Sequence, residues 1–405
     1  PLALDGIKVL DLSRVLAGPW SAQVLADLGA EVLKIERPGA GDDTRHWGPP
    51  FLEAADSITK DGAYFTCCNR NKRSVSLNFA TPEGAEIIRA MAREADVLIE
   101  NYKLGGLKKY GLDYESLRAE NPALIYCSIT GFSQTGPYAH RPGYDFVAQG
   151  MGGLMSITGP AEGKPGSEPT RAGVAICDLF TGMYAATSIL AALHWRNTTG
   201  KGQHLDCALL ASQVSMLANQ GASYLISAET PGRIGNEHPT IVPYRVFAVE
   251  NGHVIITCGN DGQYARLCAA LGMEELIEDE RFRTNEFRVI NRTAIETIFE
   301  QALAAWPRDA LLAKLEIAGV PCAPINTVSE VFSDPHVQHM GMRVDLRRED
   351  GTRVPTIAYP VRMSETPASY RSAPPALGAD TETVLTQDLG LSPHQIAGLR
   401  EKGII

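Results

Sequence analysis

The chain has 405 residues, 44% of them hydrophobic and 21% charged, a balance that suits a globular protein with a large core divided between two domains. A formal net charge of -10 argues against non-specific binding to nucleic acid or to an anionic membrane, and leaves room for a local basic pocket for a phosphorylated ligand. Pro1-Leu2-Ala3-Leu4-Asp5 has no signal-peptide character, and no uninterrupted apolar stretch long enough to span a bilayer is expected. Eight cysteines, with no CxxC spacing even at Cys67-Cys68, read as reduced core residues of a cytoplasmic protein that binds no metal.

The first third alternates strand and helix. Ile7 to Leu12 is a near-continuous apolar run suited to a buried parallel strand, and a helix follows from Pro19, with Ala22, Val24, Leu25 and Leu28 on its inner face and Gly29 as its stop. Val32 to Glu36 returns as a strand. A second unit runs from Val75-Ser76-Leu77 through a helix opened by Thr81-Pro82-Glu83 to Val97-Leu98-Ile99-Glu100, and Leu124 to Ile129 is the next strand. This is an α/β pattern, a Rossmann-like doubly wound sheet with ligands expected beyond the carboxyl ends of its strands. The turn Arg14 to Pro19 holds one glycine where the dinucleotide fingerprint needs three, which disfavours NAD. Glu36 stands where a ribose-binding acid would, and Arg37 beside it suits phosphate.

Gly173 to Met183 places Asp178 between an apolar run and a long alanine-rich helix reaching Trp195. Two readings stand for this acid: a helix N-cap, or a nucleophile that Gly173 and Gly182 let a ligand approach. The turn Thr199 to Gln203 leads into a strand from His204 to Leu209. Composition shifts near residue 225, a hairpin Tyr244–Val249 and His253–Cys258 turns at Asn251-Gly252, and amphipathic helices follow to about Phe332. The expected domains are a large one over 1–225, a smaller α+β domain over 226–332, and a return to the large domain over 333–405.

Ordered blocks along the chain carry a resemblance: Leu4 to Asp11, Leu16-Ala17-Gly18-Pro19, Gly29 to Glu36, Asn71 to Ser74, Ala95 to Asn101, Asp178 to Met183, and Thr199 to Gln203. The chain resembles the family III coenzyme A transferases, the group of formyl-CoA transferase and carnitine CoA-transferase. The resemblance implies an interlocked-ring homodimer and an enzyme that moves CoA between carboxylic acids, with acyl-CoA as substrate and no permanently bound cofactor. It assigns Asp178 as the nucleophile that forms a mixed anhydride and then an aspartyl-CoA thioester. It assigns CoA contacts to Leu16, Ala17, Arg37, Leu77, Asn101, Tyr102, Lys109 and Tyr144, with Leu16 replacing a glutamine and Lys109 an arginine of the formyl enzymes. Trp47 and Tyr64 match positions near the acyl group.

The stretch Gly235 to Tyr244, with His238, is similar to relatives that use succinyl-CoA and dicarboxylic acids such as glutarate. Arg14, Arg45 and His46 are candidates to pair a distal carboxylate. The rivals are an α-methylacyl-CoA racemase, which carries histidine where this chain has Tyr144 in Gly143-Tyr144-Asp145, and a CoA-binding protein without catalysis.

Overall fold

The computed structural model describes residues 1–54 and 58–405, and its contacts divide the chain into two units. The larger comprises Pro1–Leu154, Ala172–Ala228 and Gln338–Ile405; the smaller comprises Met155–Arg171 and Glu229–Val337. The stretch 155–171 is one that composition did not signal as separate from its neighbours.

The larger unit is a mixed α/β fold around six parallel strands: β1 (Lys8–Asp11), β2 (Glu31–Glu36), β3 (Lys72–Ser76), β4 (Val97–Glu100), β5 (Ile125–Thr130) and β6 (His204–Ala208). Their order is β3-β2-β1-β4-β5-β6, and each neighbouring pair runs parallel. Strand order therefore reverses between β1 and β4, where a crevice opens at the carboxyl ends. Alternate residues bury both faces. Leu10, Leu98 and Tyr126 pack into one core with helix α2 (Pro82–Glu94), while Val9, Val97, Ile99 and Cys127 pack into the other with α1 (Ala17–Asp27) and α4 (Ile176–Thr199).

Local chemistry fixes the ends of these elements. Thr81 caps α2 by accepting the Gly84 N–H, with Pro82 in the first turn. Helix α1 starts two residues before the expected Pro19, at Ala17. The strand expected to reach Leu209 ends at Ala208, and a short helix α5 (Leu209–Ser215) begins there. The C-terminal segment closes one edge of the sheet: Asp380 N donates to Ser74 O, and Val384, Leu385, Ile396 and Leu399 enter the first core.

Helix α4 has 24 residues, long enough to cross a membrane, and a stretch within it has a mean hydropathy of 1.5. Cys177, Thr181, Ala185, Ile189 and Leu193 are nevertheless buried within the unit, so the apolar composition serves a central core helix. Gly182 has a packing role: a Cβ there would stand 2.6 Å from Ala17 O. Its lack of a side chain lets α4 lie against the start of α1, which brings Asp178 near Leu16 and Ala17. This corrects the expectation that the glycine serves a ligand, whereas Gly173 has open space around it.

In the smaller unit, β7 (Tyr244–Val249) and β8 (Gly252–Thr257) form the expected hairpin, and β9 (Cys322–Pro324) joins β8 antiparallel. Phe247, Val254 and Ile256 pack with Tyr264, Phe299 and Leu311 from three helices, α6 (Asp261–Leu271), α7 (Arg292–Leu303) and α8 (Arg308–Ile317).

Gly182→Ala forces a methyl group onto a backbone carbonyl at the α1–α4 contact. It is expected to lower unfolding free energy by about 1–3 kcal/mol in a denaturant titration; an unchanged midpoint and slope would refute this account of the contact.

Candidate active site

Beyond the carboxyl ends of the strands lie two clefts that share residues, the first past β1, β4 and β5 and the second past β1, β2, β3 and β4. The first, about 350 Å³, is lined by Asp178 together with Leu16, Ala17, Trp47, Asn101, Tyr102 and Tyr144. The second, about 340 Å³, is lined by Arg37, Leu77, Tyr102 and Lys109. Arg14, Asp43, Tyr102 and Lys103 line both. The eight residues expected to meet CoA thus fall on one continuous surface, although they come from six separate stretches of sequence.

The turn from β1 into α1 forms a wall of the first cleft. Val15 lies in the left-handed region at φ 70°, an uncommon conformation for a β-branched residue that costs about 1–3 kcal/mol. Its neighbours hold it there. Ser13 N donates to Asp11 at 3.0 Å, Ser13 O accepts from the Lys34 ammonium at 2.9 Å, and Val15 N donates to Asp42 at 3.3 Å. Asn101 accepts from Arg14 N at 2.9 Å and donates to Arg14 O at 2.6 Å. The Asn101 amide is therefore engaged in tethering the turn.

Beneath the turn, Lys34 pairs with Asp42 and Lys72 with Asp11, both at 2.9 Å and without solvent contact. Burial alone would raise the Asp11 pKa, but Lys72 and Lys34 outweigh it and hold the carboxyl below its usual range. For Lys34 burial works the other way, and Asp42, Asp11 and Glu36 outweigh it to keep the ammonium charged.

Asp178 occupies the first turn of α4, while the N-cap position is Ala175, without a side-chain cap. The capping reading is corrected by a different acid. Asp145, the first residue of α3 (Asp145–Met151), accepts from Cys177 N at 2.7 Å and from Asp178 N at 3.2 Å. Gln149 donates to Asp145 at 2.7 Å and accepts from Ala172 N at 2.8 Å, so the capping acid is itself held in place. Burial first and the adjacent Asp145 second push the Asp178 carboxyl up to about 7. Burial and the Asp178 carboxylate likewise raise the Tyr64 phenol, which stays neutral and donor-capable. Tyr64 meets Trp47 edge to face with ring centroids 5.4 Å apart, which brings the two expected acyl-side aromatics together.

At the second cleft, Leu77 is buried while Phe79 packs edge to face on Tyr102 and Tyr110, at 5.6 and 5.9 Å. Flat apolar surface beside Arg37, Lys103 and Lys109 is a setting for a phosphorylated heteroaromatic group.

Three readings of residue type are corrected. Arg45 is buried and gives two hydrogen bonds to Glu36, at 2.8 and 2.7 Å, and pairs with Asp61 at 2.6 Å, so it is not available to a substrate carboxylate. Glu36 is consumed in the same pairing and by the Ser74 hydroxyl, which removes it from ribose binding. The His46 ring lies 2.8 Å from Ala40 O and does not line either cleft. Of the three candidates for a distal carboxylate, Arg14 alone reaches the clefts, paired with Asp43 at 2.8 Å.

His238 belongs to the smaller unit, where its Nδ1 accepts from Thr240 N at 3.2 Å and its ring packs on Tyr244. Sequence reasoning missed Lys103, which follows Asn101-Tyr102, and missed the role of Asp145, which follows Tyr144. Adjacency to an expected contact was the available signal in both cases.

The model of the family described as CoA-transferase family III matches residues 4–381. The succinate–glutarate CoA-transferase of Agrobacterium fabrum is 50% identical over 384 residues, which are 95% of each chain. The human succinyl-CoA:glutarate CoA-transferase is 42% identical over 402 residues, 99% of this chain and 90% of the human protein. The crystal structure of a CAIB/BAIF family protein from Brucella suis superimposes with a TM-score of 0.84 at 51% identity, covering 95% of this chain and 98% of that one. With that extent of match, and with the crevice described above, the chain belongs to CoA-transferase family III and is a CoA-transferase.

Proposed function

We propose that the protein transfers CoA from succinyl-CoA to a dicarboxylic acid such as glutarate, with Asp178 as nucleophile. The observation that carries the mechanism is a half-buried carboxylate raised to about 7 that opens on the same cleft as Leu16, Ala17 and Tyr144. The names of the relatives support the donor and acceptor.

In the proposed sequence the Asp178 carboxylate attacks the thioester carbonyl carbon, the C–S bond breaks, and CoA leaves as thiolate. The thiolate then attacks the Asp178 carbonyl carbon of the mixed anhydride, releasing succinate and forming an aspartyl-CoA thioester. The acceptor carboxylate attacks that thioester, and the thiolate released returns to the acceptor acyl carbon, which regenerates Asp178. The cycle balances without a redox or metal cofactor. A carboxylate made basic by burial and by Asp145 is a stronger nucleophile than one in water, and a sheltered cleft protects the anhydride from hydrolysis.

The CoA set is Leu16, Ala17, Arg37, Leu77, Asn101, Tyr102, Lys109 and Tyr144, and the acyl side is Trp47 and Tyr64. The strand order supports a Rossmann-like, doubly wound reading of the large unit. The exposed apolar side chains of Tyr144, Phe146, Leu225 and Ile226 support an interlocked homodimer, since a lone chain rarely leaves such a surface in water. Eight free cysteines support a reducing, cytoplasmic setting.

A second reading rests on His140, which lines the Asp178 cleft and is an imidazole able to exchange an α-proton as a racemase would. Uptake of solvent deuterium at the α-carbon of a branched acyl-CoA would support it, and full retention of the α-proton would exclude it.

Purified protein is expected to convert succinyl-CoA and glutarate to glutaryl-CoA and succinate, and Asp178→Asn to lose at least about a thousandfold in rate; a variant that keeps wild-type turnover would overturn the mechanism. Because the carboxylate is the reactive form, kcat/KM should rise with pH up to about 7 and level above it. A rate that falls across that range would contradict the assignment.

Stability supplies an independent reading. From the ordinary carboxylate range up to about 7 the folded chain keeps a proton that the unfolded chain has lost, so this group's contribution to stability falls as pH rises through that window. Asp178→Asn should therefore be more stable than wild type at about pH 8, by about 1–2 kcal/mol after solvent screening, with the gain gone near pH 4. Equal stabilities at both pH values would contradict the raised pKa.

A further inference from the structure

Four basic side chains line the Asp178 cleft, and their positions separate them. Arg14 and Lys103 also line the second cleft beside Arg37 and Lys109, and Arg14 is already paired with Asp43. His140 and Arg141 line only the cleft that contains Asp178.

Arg141 has a defined setting. Its guanidinium lies 4.6 Å from the ring centroid of Tyr138 and 5.5 Å from that of Phe132, and among the described residues it forms no ion pair. The loop that carries it closes at a neck of two glycines: a Cβ on Gly131 would meet Gly143 Cα at 2.6 Å. Asp206 anchors the loop by accepting from the Ser133 hydroxyl and from Gln134 N, the latter at 2.8 Å, and Arg141 N donates to Tyr138 O at 2.8 Å. A guanidinium resting on aromatic rings keeps its edge N–H groups free for a planar anion.

A dicarboxylic acyl group loses one charge to the thioester and keeps the other. In a cleft that already holds Asp178 and Asp43, the remaining carboxylate requires a cation. Resting on the CoA-transfer reading above, we infer that Arg141 binds the distal carboxylate of the dicarboxylic donor and acceptor and so sets the preference for diacids over neutral-ended acids. The cations lining the second cleft serve the phosphates at the other end of the ligand.

The test compares glutarate with glutaramate, its monoamide, as acceptors from succinyl-CoA. For Arg141→Gln the glutarate-to-glutaramate ratio of kcat/KM should fall about ten- to a hundredfold, while Arg141→Lys keeps most of it. Arg141→Glu should shift preference toward 5-aminopentanoate, an outcome that loss of folding cannot produce. An unchanged ratio in all three variants would overturn the inference, as would an equal loss for both acceptors with a raised KM for CoA thioesters, which would mark a phosphate contact instead. Wild-type protein that transfers CoA from no donor to any acceptor would overturn the CoA-transfer reading and Arg141's role with it, so the two failures are distinguishable.

Discussion

Four charges without solvent contact hold the backbone on which the candidate site is built. Asp11, Lys34, Asp42 and Lys72 lie under the turn between the first strand and the first helix. Together with Asn101 they bind Ser13, Arg14 and Val15 through main-chain atoms. Taking such ions out of water is costly, and leaving one without its partner typically costs about 3–5 kcal/mol. The pairs are therefore mutually dependent, and their joint hold offsets the strain of a left-handed valine. The result is a rigid wall at the strand-order reversal, where Leu16 and Ala17 face the cleft.

The opposite side of that cleft is arranged by a helix end. Two acids meet the start of α4, and their roles diverge because their surroundings do. Asp145 accepts from two backbone N–H groups at the helix start and from the Gln149 amide, which fix its position. Asp178 is raised by burial and by that same neighbouring residue. One acid thus caps the helix and the other is made basic, and the basic one is what the proposed chemistry needs. Gly182 adds the spatial condition by letting α4 lie against α1.

Much of the α/β architecture was legible from local pattern, since buried parallel strands are apolar runs and the Thr81-Pro82 cap declares itself over four residues. Residue type was a poorer guide to role. Arg45 and Glu36 look like ligand-binding side chains, and only their burial against each other reveals a structural pair. Asp178 reads as a cap, because the true capping group comes from a residue 33 positions away in sequence. Arg141 was passed over for Arg14, Arg45 and His46, since nothing local indicates that Gly131 and Gly143 meet and turn that loop toward Asp178. These contacts join distant segments, and a single sequence records segments without their pairing.

The central claim is that the Asp178 carboxylate carries the acyl group and then CoA covalently. Mass spectrometry of the protein after incubation with succinyl-CoA and hydroxylamine tests this most directly. The account predicts an Asp178 hydroxamate that forms only when the CoA thioester is present. Turnover to glutaryl-CoA with Asp178 unmodified throughout would contradict it.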